Sequence, residues 1–190
     1  MQTITRERLA LEEAVRKVET FRIQNAARNS TEWFENVDRY TGMQVEQFAY
    51  SLLTRSQRIS HENLRLRDKT WLEDYERWFA QQASLTGARP PMFTPYRLRS
   101  ITLKNRVVVS PMCTYSAHDG VPNDFHFQHY TARALGGAGL VMVEMTAPCA
   151  DGRITHGCPG MWSDEQAADW RRITDWVHTK TNSKIVCTGL

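Results

Sequence analysis

Proline is missing from the first 83 residues, and glycine occurs there once, as Gly42. A stretch so poor in helix breakers excludes the turn-rich pattern of an all-β fold and favours helix. Cysteine is missing from the same stretch. The four cysteines, Cys113, Cys149, Cys158 and Cys187, form no CxxC pair and fit no zinc spacing. That argues against a disulfide scaffold and assigns no metal site; reduced thiols in a cytoplasmic protein are the simplest reading. No apolar run approaches the roughly 18 residues of a spanning helix. The opening MQTITRERLALEE has charges where a secretory signal has its apolar stretch. Charge of one sign is also scarce. The first 88 residues carry 13 basic and 13 acidic groups, the remainder 11 and 8, for a net +3. The locally basic stretch from Arg55 to Lys69 is interrupted by Glu62 and Asp68, which fits a solvated helix face better than a nucleic-acid footprint.

What the first half does contain is helical periodicity. Leu11, Val15, Val18 and Phe21 recur at three- and four-residue steps and predict one inward face. Trp33, Val37 and Tyr40 continue the pattern to a stop at Gly42. Val45, Phe48 and Leu52 predict a second helix, and Leu64, Trp71, Tyr75 and Trp78 a longer one from about Ser60 to Gln82. The tryptophans sit at helical spacing and are expected in the core. Ser84-Leu85-Thr86-Gly87-Ala88-Arg89-Pro90-Pro91 cannot continue a helix and predicts a linker, so that 1–83, 84–91 and 92–190 are the expected helical segment, linker and second domain.

Beyond the linker the pattern changes. Residues 92–106 hold short β-prone pieces with a turn near Arg99-Ser100. Val107-Val108-Val109, Leu140-Val141-Met142-Val143 and Lys184-Ile185-Val186-Cys187 read as strands buried on both faces. Between them, Phe125 to Leu135 reads as a helix stopped by Gly136-Gly137-Ala138-Gly139. A second helix opens at Ser163-Asp164-Glu165-Gln166, a capping box, with Trp170, Ile173, Trp176 and Val177 on its inner side. Alternating strands and helices predict an α/β fold with parallel pairing. Both an open doubly wound sheet and an eight-fold barrel share that order. A dinucleotide fingerprint lies between a strand and the following helix; here the glycines lie between a helix and the following strand, which weakens the dinucleotide reading. His126 and His129 are three apart on a helix, but no third ligand accompanies them, so a structural role is expected. Glu144 and Arg153 are expected to pair, and His118, Asp119 and Asp124 to cap the helix that follows them.

Asn105-Arg106-Val107-Val108-Val109-Ser110-Pro111-Met112-Cys113-Thr114-Tyr115 resembles the old yellow enzyme family, in the branch with cysteine after Ser-Pro-Met. Phe93-Thr94-Pro95, Leu103-Lys104-Asn105-Arg106, the segment from Phe125 through Tyr130 to Ala134, Gly152-Arg153-Ile154-Thr155 and Trp162-Ser163-Asp164-Glu165 agree in order and spacing. The resemblance implies an FMN-binding (β/α)8 barrel, with NADH or NADPH as hydride donor and an activated alkene as acceptor. It implies that Ser110, Pro111, Met112 and Cys113 lie against the flavin ring, that the Cys113 thiol tunes it, and that Tyr115 donates a hydrogen bond to the substrate. Met145, at the second strand mouth, stands where relatives touch the flavin through the backbone. Asn25 to Ser30 and Gln57 to Arg65 are similar to the C-terminal helices of aryl-CoA flavin monooxygenases of the salicylyl-CoA or 2-aminobenzoyl-CoA type. That similarity implies a bifunctional monooxygenase/reductase for the degradation of aromatic compounds. It would use FAD in its monooxygenase part, act on an aryl-CoA thioester, and be cytoplasmic and able to form a homo-oligomer.

The sequence departs from the family in length. A whole barrel takes about 250 residues. The residues after the linker hold about three strands, so the expectation is an incomplete barrel, inactive alone. The family's flavin-bonding glutamine aligns with Thr188, and the pattern breaks off over residues 186–190. The histidine pair and the phosphate-binding residues would fall beyond Leu190. A competing expectation from another class is a helical interaction or dimerisation module with a non-catalytic tail, supported by the neutral, aromatic-rich amphipathic helices. A stand-alone dinucleotide-binding protein is the third.

Overall fold

Backbone hydrogen bonding follows the sequence pattern closely in a computed structural model, which describes residues 6–189, with side chains from 11 to 187. The Thr188 side chain and Leu190 lie outside the described residues. The chain divides into two units, residues 1–78 and 79–190.

The first unit is helical: α1 (Arg6–Glu35), α2 (Val45–Thr54), α3 (His61–Arg67) and most of α4 (Lys69–Gln82). The long helix expected from Ser60 is instead two helices. Asp68 breaks it, with an extended φ of -149° and ψ of 90°, and its carboxylate accepts the Trp71 amide at 2.9 Å, capping α4. The first helix also ends before Gly42, at Glu35, followed by a 3-10 turn over Val37–Arg39. Trp33 is buried, stacks on Tyr40 at 4.9 Å and donates its indole N–H to Ser51 Oγ at 2.8 Å. Tyr75 stacks on Tyr50 at 4.4 Å. The expected inward stripe Leu11, Val15, Val18 and Phe21 is exposed, because no described part of this unit covers that side of α1.

In the second unit, β1 (Tyr96–Leu98) and β2 (Ile101–Leu103) form an antiparallel hairpin. Arg99 turns it with a left-handed φ of 52°. The Arg106 guanidinium lies over Phe79 and Tyr96, 4.9 Å from each ring. A parallel sheet follows, in the order β3 (Val108–Val109), β4 (Leu140–Thr146), β5 (Lys184–Gly189). Helices α5 (Asp124–Leu135) and α6 (Asp164–Lys180) are the crossovers. The architecture is therefore α/β with a partial parallel sheet.

Val141 and Val143 of β4 pack with Tyr130 and Ala134 of α5 and with Trp170, Ile173 and Val177 of α6. Burying an aliphatic side chain contributes about 1.5–3 kcal/mol, so this cluster is the main source of stability. Only the central strand is buried along nearly its whole length; Val108 of β3 and Val186 of β5 are exposed, contrary to expectation. Those two strands lie at the sheet edges, where no described neighbour closes over them. The capping box at Ser163 and Gln166 forms as expected. α5 is capped by Asn123 rather than by the residues expected to do so. At its end, Gly137 takes a φ of 100°, open to glycine without strain, and turns the chain into β4.

Candidate functional site

Pro111 lacks the N–H that a continuing strand would need, so regular structure stops just after β3. Ser110 to Tyr115 leaves the carboxyl end of β3 as an irregular segment. Next to it β4 runs to Thr146, and Ala147 then bridges in parallel to Gly160. Of the residues expected at the site, Ser110, Pro111, Met112, Cys113 and Tyr115 are all exposed on this rim. Met145 is different. Its side chain is buried with Ala147 and Cys158, and its backbone is paired in register with Thr188.

The rim is built from opposite-facing neighbours. Thr114 turns inward between exposed Cys113 and exposed Tyr115. Its amide donates to Glu144 Oε2 at 2.9 Å and its hydroxyl to Glu144 Oε1 at 2.8 Å. Tyr115 has a φ of 53°, in the left-handed region that bulky residues rarely occupy. It is held there from the far side as well. Ala117 N donates to Gly157 O at 2.9 Å, Ser116 Oγ donates to Thr114 O at 3.0 Å, and Asn123 Nδ2 donates to Ser116 O at 2.7 Å. Gly157 lies so close that a Cβ would sit 2.3 Å from the Tyr115 carbonyl oxygen.

This conformation brings the Tyr115 phenol to the Cys113 thiol. The charge of a Cys113 thiolate, ahead of partial desolvation and of smaller contributions from Cys158 and Glu144, raises the phenol above its ordinary value of 10.0. Tyr115 therefore remains a neutral donor at physiological pH. Among the described residues, nothing bonds to the backbone amides of Met112 and Cys113.

Behind the rim lies a buried polar group that sequence reasoning missed in its role. Glu144 is 1% exposed. Tyr130 Oη donates to Glu144 Oε1 at 3.0 Å. Arg153, its expected partner, lies over the Trp162 ring at 5.4 Å and donates to Ala150 O at 3.0 Å. The available signal was a carboxylate in the middle of an otherwise apolar strand, where an ion survives only with dedicated partners. His126 is buried beside it, its Nδ1 accepting the Asn123 amide at 3.2 Å. Nδ1 also lies 3.0 Å from Asn123 Oδ1, and Nε2 lies 3.5 Å from Glu144 Oε1 without a hydrogen-bond partner among the described residues. Burial pushes His126 below 6.5, with Glu144 pulling the other way. His129 is pushed down as well, first by burial and then by Arg133.

A parallel α/β unit with an exposed thiol and an exposed phenol on the segment that leaves the carboxyl end of its first strand defines the class, one whose ligand sites lie at the strand ends. The chain belongs to the NADH:flavin oxidoreductase / NADH oxidase family, whose profile matches residues 91–188. It is similar to the NADPH dehydrogenase of Listeria monocytogenes, with 49% identity over 89 residues, 46% of this chain and 26% of that protein. The NADPH dehydrogenase of Bacillus subtilis is 47% identical over 88 residues, 45% of this chain and 26% of that protein. Among solved structures, an old yellow enzyme homologue from Zymomonas mobilis has 33% identity and a TM-score of 0.49, covering 53% of this chain and 28% of that one. The chain thus spans about a quarter of the length of these curated relatives. The family implies FMN, and the rim suits it: a flat ring needs close backbone approach, and the exposed segment offers free amide donors beside a polarisable thiol.

Proposed function

We propose that this chain contributes the opening strands and part of the flavin site of an FMN-dependent NAD(P)H oxidoreductase of the old yellow enzyme type, within a (β/α)8 barrel. The observation that carries this reading is the exposed ledge from Ser110 to Tyr115 at a strand's carboxyl end, with the Met112 and Cys113 amides and the Cys113 thiol open. Ser110, Pro111, Met112 and Cys113 would hold the ring through backbone and thiol, and Met145 through its backbone. Bound there, FMN supplies hydride transfer from NADH or NADPH to an activated alkene. Cys113 biases the ring's oxidation state through a soft sulfur contact. Tyr115, kept neutral, donates a hydrogen bond to a small-molecule substrate and so orients it.

The finer reading extends to the first half. Its helices, with the resemblance at Asn25 to Ser30 and Gln57 to Arg65, support residues 1–83 as the end of an aryl-CoA monooxygenase part that uses FAD, joined by 84–91 to the barrel. The whole would be a cytoplasmic bifunctional protein acting on an aryl-CoA thioester in the degradation of aromatic compounds. No described helix is long and apolar enough to cross a membrane. A second reading, an interaction or dimerisation module, draws its support from the exposed stripe Leu11, Val15, Val18 and Phe21. Under either reading a homo-oligomer is a natural outcome.

The test uses the full gene product that carries this sequence. After desalting it should retain FMN, oxidise NADPH or NADH, and reduce an activated alkene. Cys113→Ala should shift the flavin reduction potential, and Tyr115→Phe should lower kcat more than it changes flavin binding. A folded gene product with no flavin at all would overturn the reading and favour the helical module.

A further inference from the structure

We propose that Glu144 is a positioning residue: through Thr114 it fixes the backbone on which Cys113 and Tyr115 stand, and so sets the geometry of the thiol–phenol pair. The value of this for catalysis rests on the flavin reading above; the clamp itself does not.

A carboxylate buried in an apolar strand is costly unless its oxygens are used. In Glu144 they are used on one short segment of chain. Thr114 engages both oxygens, one with its amide and one with its hydroxyl, at 2.9 and 2.8 Å. Tyr130 prevents the carboxylate from turning, because its phenol donates to Oε1 and also accepts the Glu144 amide, both at 3.0 Å. Glu144 is therefore fixed from α5 and fixes the rim in turn. Two-point attachment of Thr114 determines the orientation of its peptide as well as its position. The neighbouring side chains on either side then have to face outward.

The strained turn at Tyr115 supplies the second support. A tyrosine in the left-handed region persists only where its surroundings over-determine it. On the carboxyl side those surroundings are Gly157 and the Ser116–Asn123 hydrogen bond. On the amino side they are Glu144 acting through Thr114. Without the clamp the Tyr115 backbone can relax to negative φ, and its ring leaves Cys113.

The experiment reads Tyr115 directly and needs no flavin. The full gene product is labelled with 13Cζ-tyrosine, and the alkaline titration of Tyr115 is followed by NMR in wild type, Glu144→Gln, Thr114→Val, Thr114→Ser and Cys113→Ala. In wild type the Tyr115 midpoint lies above 10.0. Cys113→Ala should bring it down toward the ordinary value with the clamp intact, leaving the smaller rise due to desolvation, Cys158 and Glu144, which calibrates the signal. Thr114→Val, which keeps the Glu144 charge, should lower it toward that value; Glu144→Gln should lower it further, because the Gln amide cannot accept at both atoms and because the Glu144 charge that also raises Tyr115 is gone. Thr114→Ser, which keeps the hydroxyl, should restore the wild-type titration. A merely structural role would move the unfolding midpoint and leave the Tyr115 titration in place. The proposal is overturned if folded Thr114→Val titrates at Tyr115 like wild type; that variant decides the matter even where Glu144→Gln does not fold. A displaced titration in a protein that never binds FMN would keep the clamp and refute the flavin reading.

Discussion

Tyr130 and Glu144 bond each other twice: the phenol donates to the carboxylate at 3.0 Å and accepts the backbone amide of the same residue at 3.0 Å. Burial, the largest influence, pushes the Tyr130 phenol far above its ordinary range, so it stays protonated wherever the protein is folded. Tyr130→Phe leaves a buried amide and a buried carboxylate oxygen each short of a partner. A loss of about 2 kcal/mol is expected from the desolvation cost of such groups. Urea denaturation should show it as a lower midpoint with an unchanged slope. A loss below about 0.5 kcal/mol would mean that water replaces the phenol.

Acidification should weaken the second unit through His126. Its folded-state pKa lies below the 6.5 of the free side chain because it is buried. The unfolded chain then binds the proton more readily, so stability is full above about 6.5 and declines as the pH falls through the folded value. Thermal midpoints measured from pH 8 to pH 5 should decline in wild type, and His126→Asn should flatten that decline. An identical pH slope in both proteins would contradict the assignment.

Gly157→Ala is expected to disturb the rim without touching the Cys113 or Tyr115 side chain. The added methyl would sit 2.3 Å from the Tyr115 carbonyl oxygen and 2.8 Å from its carbonyl carbon, and both are backbone atoms. Overpacking of this kind costs about 1–3 kcal/mol. The Tyr115 titration should shift along with the unfolding midpoint, whereas an unchanged titration would show that the loop gives way elsewhere.

The first unit holds a buried carboxylate of its own. Glu76 accepts from His61 Nε2 at 2.7 Å and from Arg65, while Tyr50 Oη contacts His61 Nδ1 at 3.0 Å. Burial first, then the Glu76 charge, raises Tyr50. Glu76→Ala should cost about 2 kcal/mol, below the full value for breaking a buried pair because Arg65 and His61 reach solvent. Tryptophan fluorescence during denaturation reports it through Trp71, which stacks on Tyr75.

Local chemistry carried most of the secondary structure from sequence alone. Ser163 with Gln166 marks a helix start because their side chains satisfy amides within four residues of each other. Gly136 and Gly137 mark a helix end for an equally local reason. The Ser110–Tyr115 motif marked a candidate site because its residue types matched a family pattern. What periodicity could not reveal was coverage. Leu11, Val15, Val18 and Phe21 share a face in sequence, but whether that face is buried depends on what lies against it. The split at Asp68 turned on a capping bond strong enough to outweigh a continuous apolar pattern. The link between Glu144 and Thr114 spans 30 residues and exists only because β4 lies beside β3. Hydrogen bonds and ring contacts between distant residues require that proximity, and only the tertiary structure supplies it.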